Sequence, residues 1–239
     1  MPEIPLDRVI AKCDHLFNSG KTAEVGSHLR YWLNEAKMLG DRRGELTVLS
    51  ELMGHYRMSN DPDKGLAVIA DGIKLLDELQ LGECVSGGTI LINAATALHS
   101  FGKYDEAEKL YFRAYRAYTL NLPENDVRFA GLFNNMASVY AVKGDIDTAE
   151  AYYLAALEIL NDSGNPMDRA VSWINLAQLG KDTENCCEKA MAIFHDPAVP
   201  HDGYYAHTCL KCVPALRELG KADHAAILTE LAGKVYESD

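Results

Sequence analysis

Residues 207–212 read His-Thr-Cys-Leu-Lys-Cys, and His195 and His201 lie just upstream. Imidazole and thiolate are the usual zinc ligands, and Cys-x-x-Cys is also the sequence of thiol redox centres. Cys186 and Cys187 add two more sulfurs nearby. The spacing argues against a site. A closed zinc centre needs four ligands in a tetrahedron, whereas His195, His201 and His207 fall at six-residue steps and share no helical face. Adjacent cysteines on a helix point apart, so Cys186 and Cys187 are expected as one core and one surface residue. Reduced cysteine packs as a small hydrophobe, which places Cys209 and Cys212 in a core. A metal protein using the cluster near 186–212 is the minor alternative, and zinc analysis of the purified protein separates the two.

Other catalytic patterns are missing. No G-x-S-x-G, Walker loop, H-E-x-x-H or G-x-G-x-x-G occurs. Ser86-Gly87-Gly88 opens a helix but lacks a lysine at P-loop spacing, so it reads as a helix start. Asp105, Glu106 and Glu108 follow another helix start, where they complement the helix dipole. In residues 111–118, Tyr111, Ala114 and Tyr118 fall on one helical stripe, so this aromatic and basic run reads as core. No enzyme activity, metal or cofactor is expected.

The chain has 239 residues and a net charge of −12, which disfavours a phosphate-neutralising nucleic-acid surface. The N-terminus has no apolar stretch after a basic start, and no apolar run reaches membrane-spanning length. With six scattered cysteines, reduced thiols in the cytoplasm are the simplest expectation.

Positioning these residues requires the repeats. Gly102, Ala107, Tyr111 and Ala114 recur at Gly144, Ala149, Tyr153 and Ala156, an offset of 42. The pattern returns with Asn60, Gly65, Ile69 and Gly72, with Gly220, Ala225, Thr229 and Ala232, and more loosely from Gly20. Residues 173–194 supply a shortened fifth copy. Each copy reads as two amphipathic helices. Small residues sit where the helices cross, and a glycine at the turn takes the left-handed conformation at least cost. The predicted helices lie near 5–18 and 21–39, 42–58 and 62–79, 84–101 and 103–120, 124–143 and 145–160, 166–179 and 182–194, and 202–219 and 221–236. The fold class is therefore all-α, an α-α superhelix of about six helix-turn-helix repeats forming a single domain over residues 1–239.

Phe133, Met136, Ala137, Tyr140, Ala149 and Tyr153, with Pro166 beyond, follow the tetratricopeptide scheme W-x2-L-G-x2-Y, A-x3-F, P. Leu91, Ala94, Ala95, Leu98, Ala107 and Tyr111, with Pro123 beyond, do the same. The chain thus resembles the tetratricopeptide repeat family over almost its whole length. Its repeats of 40 to 42 residues exceed the usual ~34 and look like the longer variant of kinesin light chains and bacterial peptide-sensing regulators.

The resemblance implies a concave groove lined by the first helix of each repeat. Counted from the core positions, the groove-facing residues include Glu51 and Arg57 in the second repeat, and Asn93, Thr96 and His99 in the third. They include Asn134, Asn135 and Ser138 in the fourth, Ile174, Asn175 and Gln178 in the fifth, and Lys211 in the sixth. Asn93, Asn135 and Asn175 occupy one position in three successive repeats. An amide both donates and accepts, so such a column can bracket an extended peptide backbone; the alternative is that it bonds to neighbouring helices or to water. The basic residues of the family's clamp for acidic C-terminal tails are absent around Asn93 and Asn135. The expected function is a non-enzymatic protein- or peptide-binding scaffold. A peptide-responsive regulator acting through conformational change or self-association is the alternative. A homodimer through a terminal repeat is a further candidate partner, because Ile227 and Tyr236 on the last helix are not assigned to the core.

Overall fold

The computed structural model describes residues 2–238. Among them are twelve α-helices and no strand: α1 Leu6–Asn18, α2 Thr22–Leu39, α3 Arg42–Met58, α4 Pro62–Glu78, α5 Val85–Ser100 and α6 Tyr104–Asn121, then α7 Val127–Val142, α8 Ile146–Ser163, α9 Pro166–Ala177, α10 Thr183–Phe194, α11 Gly203–Glu218 and α12 Ala222–Ser238. They pair as six helical hairpins, as the repeats imply. The fifth hairpin is the short one, with 12 residues in each helix.

The hairpin turns come from local chemistry. Gly20, Asn60, Gly102, Gly144, Gly180 and Gly220 all have φ between 50° and 81°. At each of the first four and at Gly220, the next N–H reaches back to the carbonyl five residues earlier, as in Lys103 to Leu98 and Asp145 to Tyr140 at 2.9 and 3.0 Å. This closes the preceding helix in a Schellman-type motif. Asp145 then caps α8, accepting from the Thr148 N–H at 3.2 Å, and Asp61 and Asp202 do the same for α4 and α11.

The chain divides into two compact units, Met1–Pro123 and Glu124–Asp239. Within the first, α3 packs on α2, α4 and α5; within the second, α9 packs on α7, α8, α10 and α11. Thus first helices meet first helices along each unit, with second helices behind. Ala94, Ala107 and Ala114, and likewise Ala137, Ala149 and Ala156, are fully buried where the helices cross. Tyr111 and Tyr118 are buried as well, so the aromatic and basic run on α6 is core, with Arg113 and Arg116 turned outward to Asp77 and Glu83. The Ser-Gly-Gly run is explained by close approach. A methyl on Gly87 would lie 1.8 Å from the Leu81 carbonyl oxygen, and one on Gly88 2.7 Å from the Tyr118 ring. On α12, Ile227 packs against the core and Tyr236 is exposed.

Candidate ligand groove

In the second unit, α7, α9 and α11 frame a cavity of about 580 Å³. Leu132, Met136 and Val139 bury one stripe of α7. The adjoining stripe, at the helical spacing of three and four, carries Gly131, Asn134, Asn135 and Ser138 into the cavity. Asn175 and Gln178 enter from α9 and Lys211 from α11. Six of the twelve groove residues read from the sequence therefore surround one space.

Their bonding differs sharply. The Asn134 amide donates to the Ala130 carbonyl at 3.0 Å and to Ser172 Oγ at 2.8 Å, tying α7 to α9. Its Oδ1 is buried and accepts nothing. Asn135 and Asn175 are half-buried, and their side chains make no hydrogen bond among the described residues. Gln178 reaches Glu218 at 3.4 Å. Lys211 is exposed and makes no ion pair among the described residues. Arg128, at the rim, is held by Asp126 through two bonds of 2.7 Å. Those bonds pull the Asp126 carboxyl down to about 2. Asp168 accepts from the Tyr204 hydroxyl, and burial, with Asp168 beside it, pushes that phenol up to about 12. The result is a polar groove with one unneutralised cation and apolar walls from Val127, Val171, Tyr153 and Leu160.

Five others lie on α3 and α5 of the first unit. Asn93 donates to Ser50 Oγ at 2.9 Å, so this asparagine bonds the neighbouring first helix. Thr96 Oγ1 donates to the Ile92 carbonyl and accepts from the Tyr111 hydroxyl at 3.1 Å. His99 stands edge-on to Tyr104. Glu51 is half-buried, and burial, reinforced by Asp14, raises its carboxyl above the usual range. Arg57 is exposed. The sequence count missed Asp168, Ser172 and Tyr204, which rim the cavity or tie it together. It also assigned Ile174 to the groove, whereas Ile174 is 1% exposed. In the shortened α9 the buried stripe is Ala170, Ile174 and Ala177, which rotates Ile174 inward.

Cys209 and Cys212 are buried on α11, and burial pushes their thiols up to about 11 and about 12. The expectation of one exposed cysteine on α10 does not hold: Cys186 and Cys187 are both buried. His195 bonds the Met191 carbonyl at its own helix end, and His201 stacks on Tyr205 at 4.2 Å. Each is thus committed locally, and among the described residues no three His, Cys, Asp or Glu side chains are grouped to hold a metal.

Paired helices joined by left-handed turns, with first helices lining a polar face, define an all-α repeat fold of the tetratricopeptide type, and solved structures agree. BtubC (BKLC) of P. vanneervenii superposes with a TM-score of 0.60 at 18% identity, covering 91% of each chain. A kinesin light chain protein of Podosopora anserina with nearly identical TPR-like repeats gives 0.58 at 15%, over 81% of this chain and 95% of that one. PilF of Pseudomonas aeruginosa gives 0.56 at 16%, over 98% and 93%. No family model and no curated protein matches the sequence. Among the described residues no helix is long and apolar enough to cross a membrane.

Proposed function

We propose that the chain is a non-enzymatic scaffold that holds an extended peptide or protein segment against α7, α9 and α11, and that the whole of residues 1–239 serves this role. The observation that carries the reading is the cavity in the second unit. It gathers Asn134, Asn135, Ser138, Asn175, Gln178 and Lys211 around about 580 Å³, and the Asn135 and Asn175 amides that line it have no hydrogen-bond partner among the described residues. Each free amide can donate to one backbone carbonyl and accept from one backbone N–H. The apolar walls take a side chain, and Lys211 favours a ligand with a nearby carboxylate. The helical repeat scaffold, shared with the TPR-like structures, suits protein interaction. The six cysteines are free thiols in the structure, which fits a reducing, cytoplasmic setting.

The test is a peptide library screened against the purified protein and the Asn135→Ala/Asn175→Ala variant. Two lost hydrogen-bonding groups, at about 0.5–1.5 kcal/mol each, correspond to binding weaker by about 5- to 150-fold. A folded double variant that binds the selected peptides as tightly as the parent contradicts the proposal.

A further inference from the structure

A second concavity lies in the first unit, where α1, α3 and the starts of α2 and α4 meet. It measures about 420 Å³. Arg30, His55 and Lys64 line it together, against a single carboxylate, Asp61. Tyr56, only 4% exposed, anchors two of these cations. Arg30 donates to its hydroxyl at 3.3 Å, and the Lys64 ammonium sits 5.9 Å from its ring centre. A methyl built on Gly26 would meet His55 Nε2 at 2.4 Å and an Arg30 guanidinium nitrogen at 3.1 Å. Imidazole and guanidinium therefore flank one point of α2, and the bare glycine leaves them room.

This arrangement is unusual in a chain of net charge −12. Asp61 is already committed to Lys64, through the backbone N–H at 3.2 Å and the ammonium at 2.6 Å. Arg30 makes no ion pair among the described residues, and it sits beside the imidazole. Phe17, Ala23 and Met58 supply the apolar part of the lining. An unpaired guanidinium beside an imidazole that can take up a proton, with the Lys64 ammonium lining the same cavity, makes a receptor for an anion.

We propose that this cavity is a binding site for a tetrahedral dianion of the phosphate or sulfate type carried on an apolar body, with Arg30, Lys64 and His55 as its donors. The site is separate from the groove and does not depend on the reading given to it. Without an anion, burial and the neighbouring Arg30 hold the His55 imidazole below its ordinary value; Lys64 acts the same way, and Asp61 opposes them. A bound dianion reverses that balance and favours the imidazolium. Binding must then tighten as the pH falls through the His55 titration, and the bound anion must raise that titration.

Sulfate is the suitable probe because it stays a dianion throughout the range. The histidine ring signals of the whole protein are followed by NMR against pH, with and without sulfate, at constant ionic strength set by chloride. The expected result is a rise of about one unit in the His55 titration, with no comparable change at the exposed His207. Arg30→Gln and Lys64→Gln should each weaken sulfate binding about tenfold. Lys64 is exposed, so its variant keeps the test valid if Arg30→Gln does not fold. Phenyl phosphate should bind more tightly than sulfate, through the apolar wall, and more tightly than benzoate. The proposal is overturned if His55 moves no more than His207, if Lys64→Gln keeps the parent response, or if benzoate binds as well as phenyl phosphate.

Discussion

Single residues carry two kinds of information in this chain, backbone conformation and polarity. The turn glycines were legible because a left-handed residue leaves a strong mark on sequence choice. Gly144 has φ of 81° with nothing within 4 Å of an added methyl, so only backbone strain opposes a side chain there. Gly144→Ala should cost about 1–2 kcal/mol, whereas Gly144→Asn should cost less, because Asn60 holds the same turn position at φ of 50°. Denaturant unfolding of the two variants checks this order. The cysteines separate in the same way. Burial alone would raise the Cys84 thiol, but hydrogen bonds from Ser86 and from the Gly87 amide bring it below its ordinary value. The thiols of Cys13, Cys186, Cys187, Cys209 and Cys212 are all raised by burial. A thiol reagent at neutral pH should therefore label Cys84 in the native protein and the other five only after unfolding; rapid native labelling of Cys209 or Cys212 contradicts the core placement. The asparagine column was legible as a repeat, but its roles were not. Whether an amide finds a neighbour depends on which residue the next helix offers, here Ser50 for Asn93 and, among the described residues, nothing for Asn135.

Helices were legible to within a few residues wherever the repeat was regular. The differences have local causes. The left-handed turn at Gly180 follows closely on α9, which ends at Ala177, and α8 continues to Ser163 because the chain does not turn extended until Gly164. The shortened fifth hairpin is where counting by offset failed: Ile174 is core, and both cysteines of α10 are buried. Cys186 lies by Lys189 and Trp173, and Cys187 by Lys221 at the start of α12. The buried face of α10 is broad enough to take both adjacent positions, and Glu184, Asn185, Glu188 and Lys189 form the exposed side. The crossings set the energetics of each hairpin. Ala149 is fully buried where α8 meets its neighbours, while Leu154 on the same helix is 47% exposed. Ala149→Leu should therefore destabilise by about 1–3 kcal/mol through overpacking, and Leu154→Ala should change stability by less than about 0.5 kcal/mol. Thermal or denaturant unfolding distinguishes them, and equal effects would contradict the assigned helix faces.

At the scale of the molecule, the fold class followed from the sequence because the same small-residue pattern recurs along the chain, and within each unit neighbouring copies bury their apolar faces on one another. The proposed groove was only half legible. Six of its residues follow from counting along the first helices, but the cavity itself also depends on Asp168 and Ser172, from the irregular fifth repeat, and on Tyr204, which reaches Asp168 from α11. The pairing of Arg30 with His55 beside Gly26 had no sequence signal at all, since it joins two helices at an unrelated spacing. The central claim concerns the groove, and one calorimetric comparison tests it most directly. A peptide selected by the parent protein is titrated into the parent, into Asn135→Ala/Asn175→Ala, and into Asn93→Ala, whose amide is already bonded to Ser50. The account predicts that the double variant loses most of the affinity while Asn93→Ala retains it. Equal affinity for the parent and the folded double variant, or loss confined to Asn93→Ala, would contradict it.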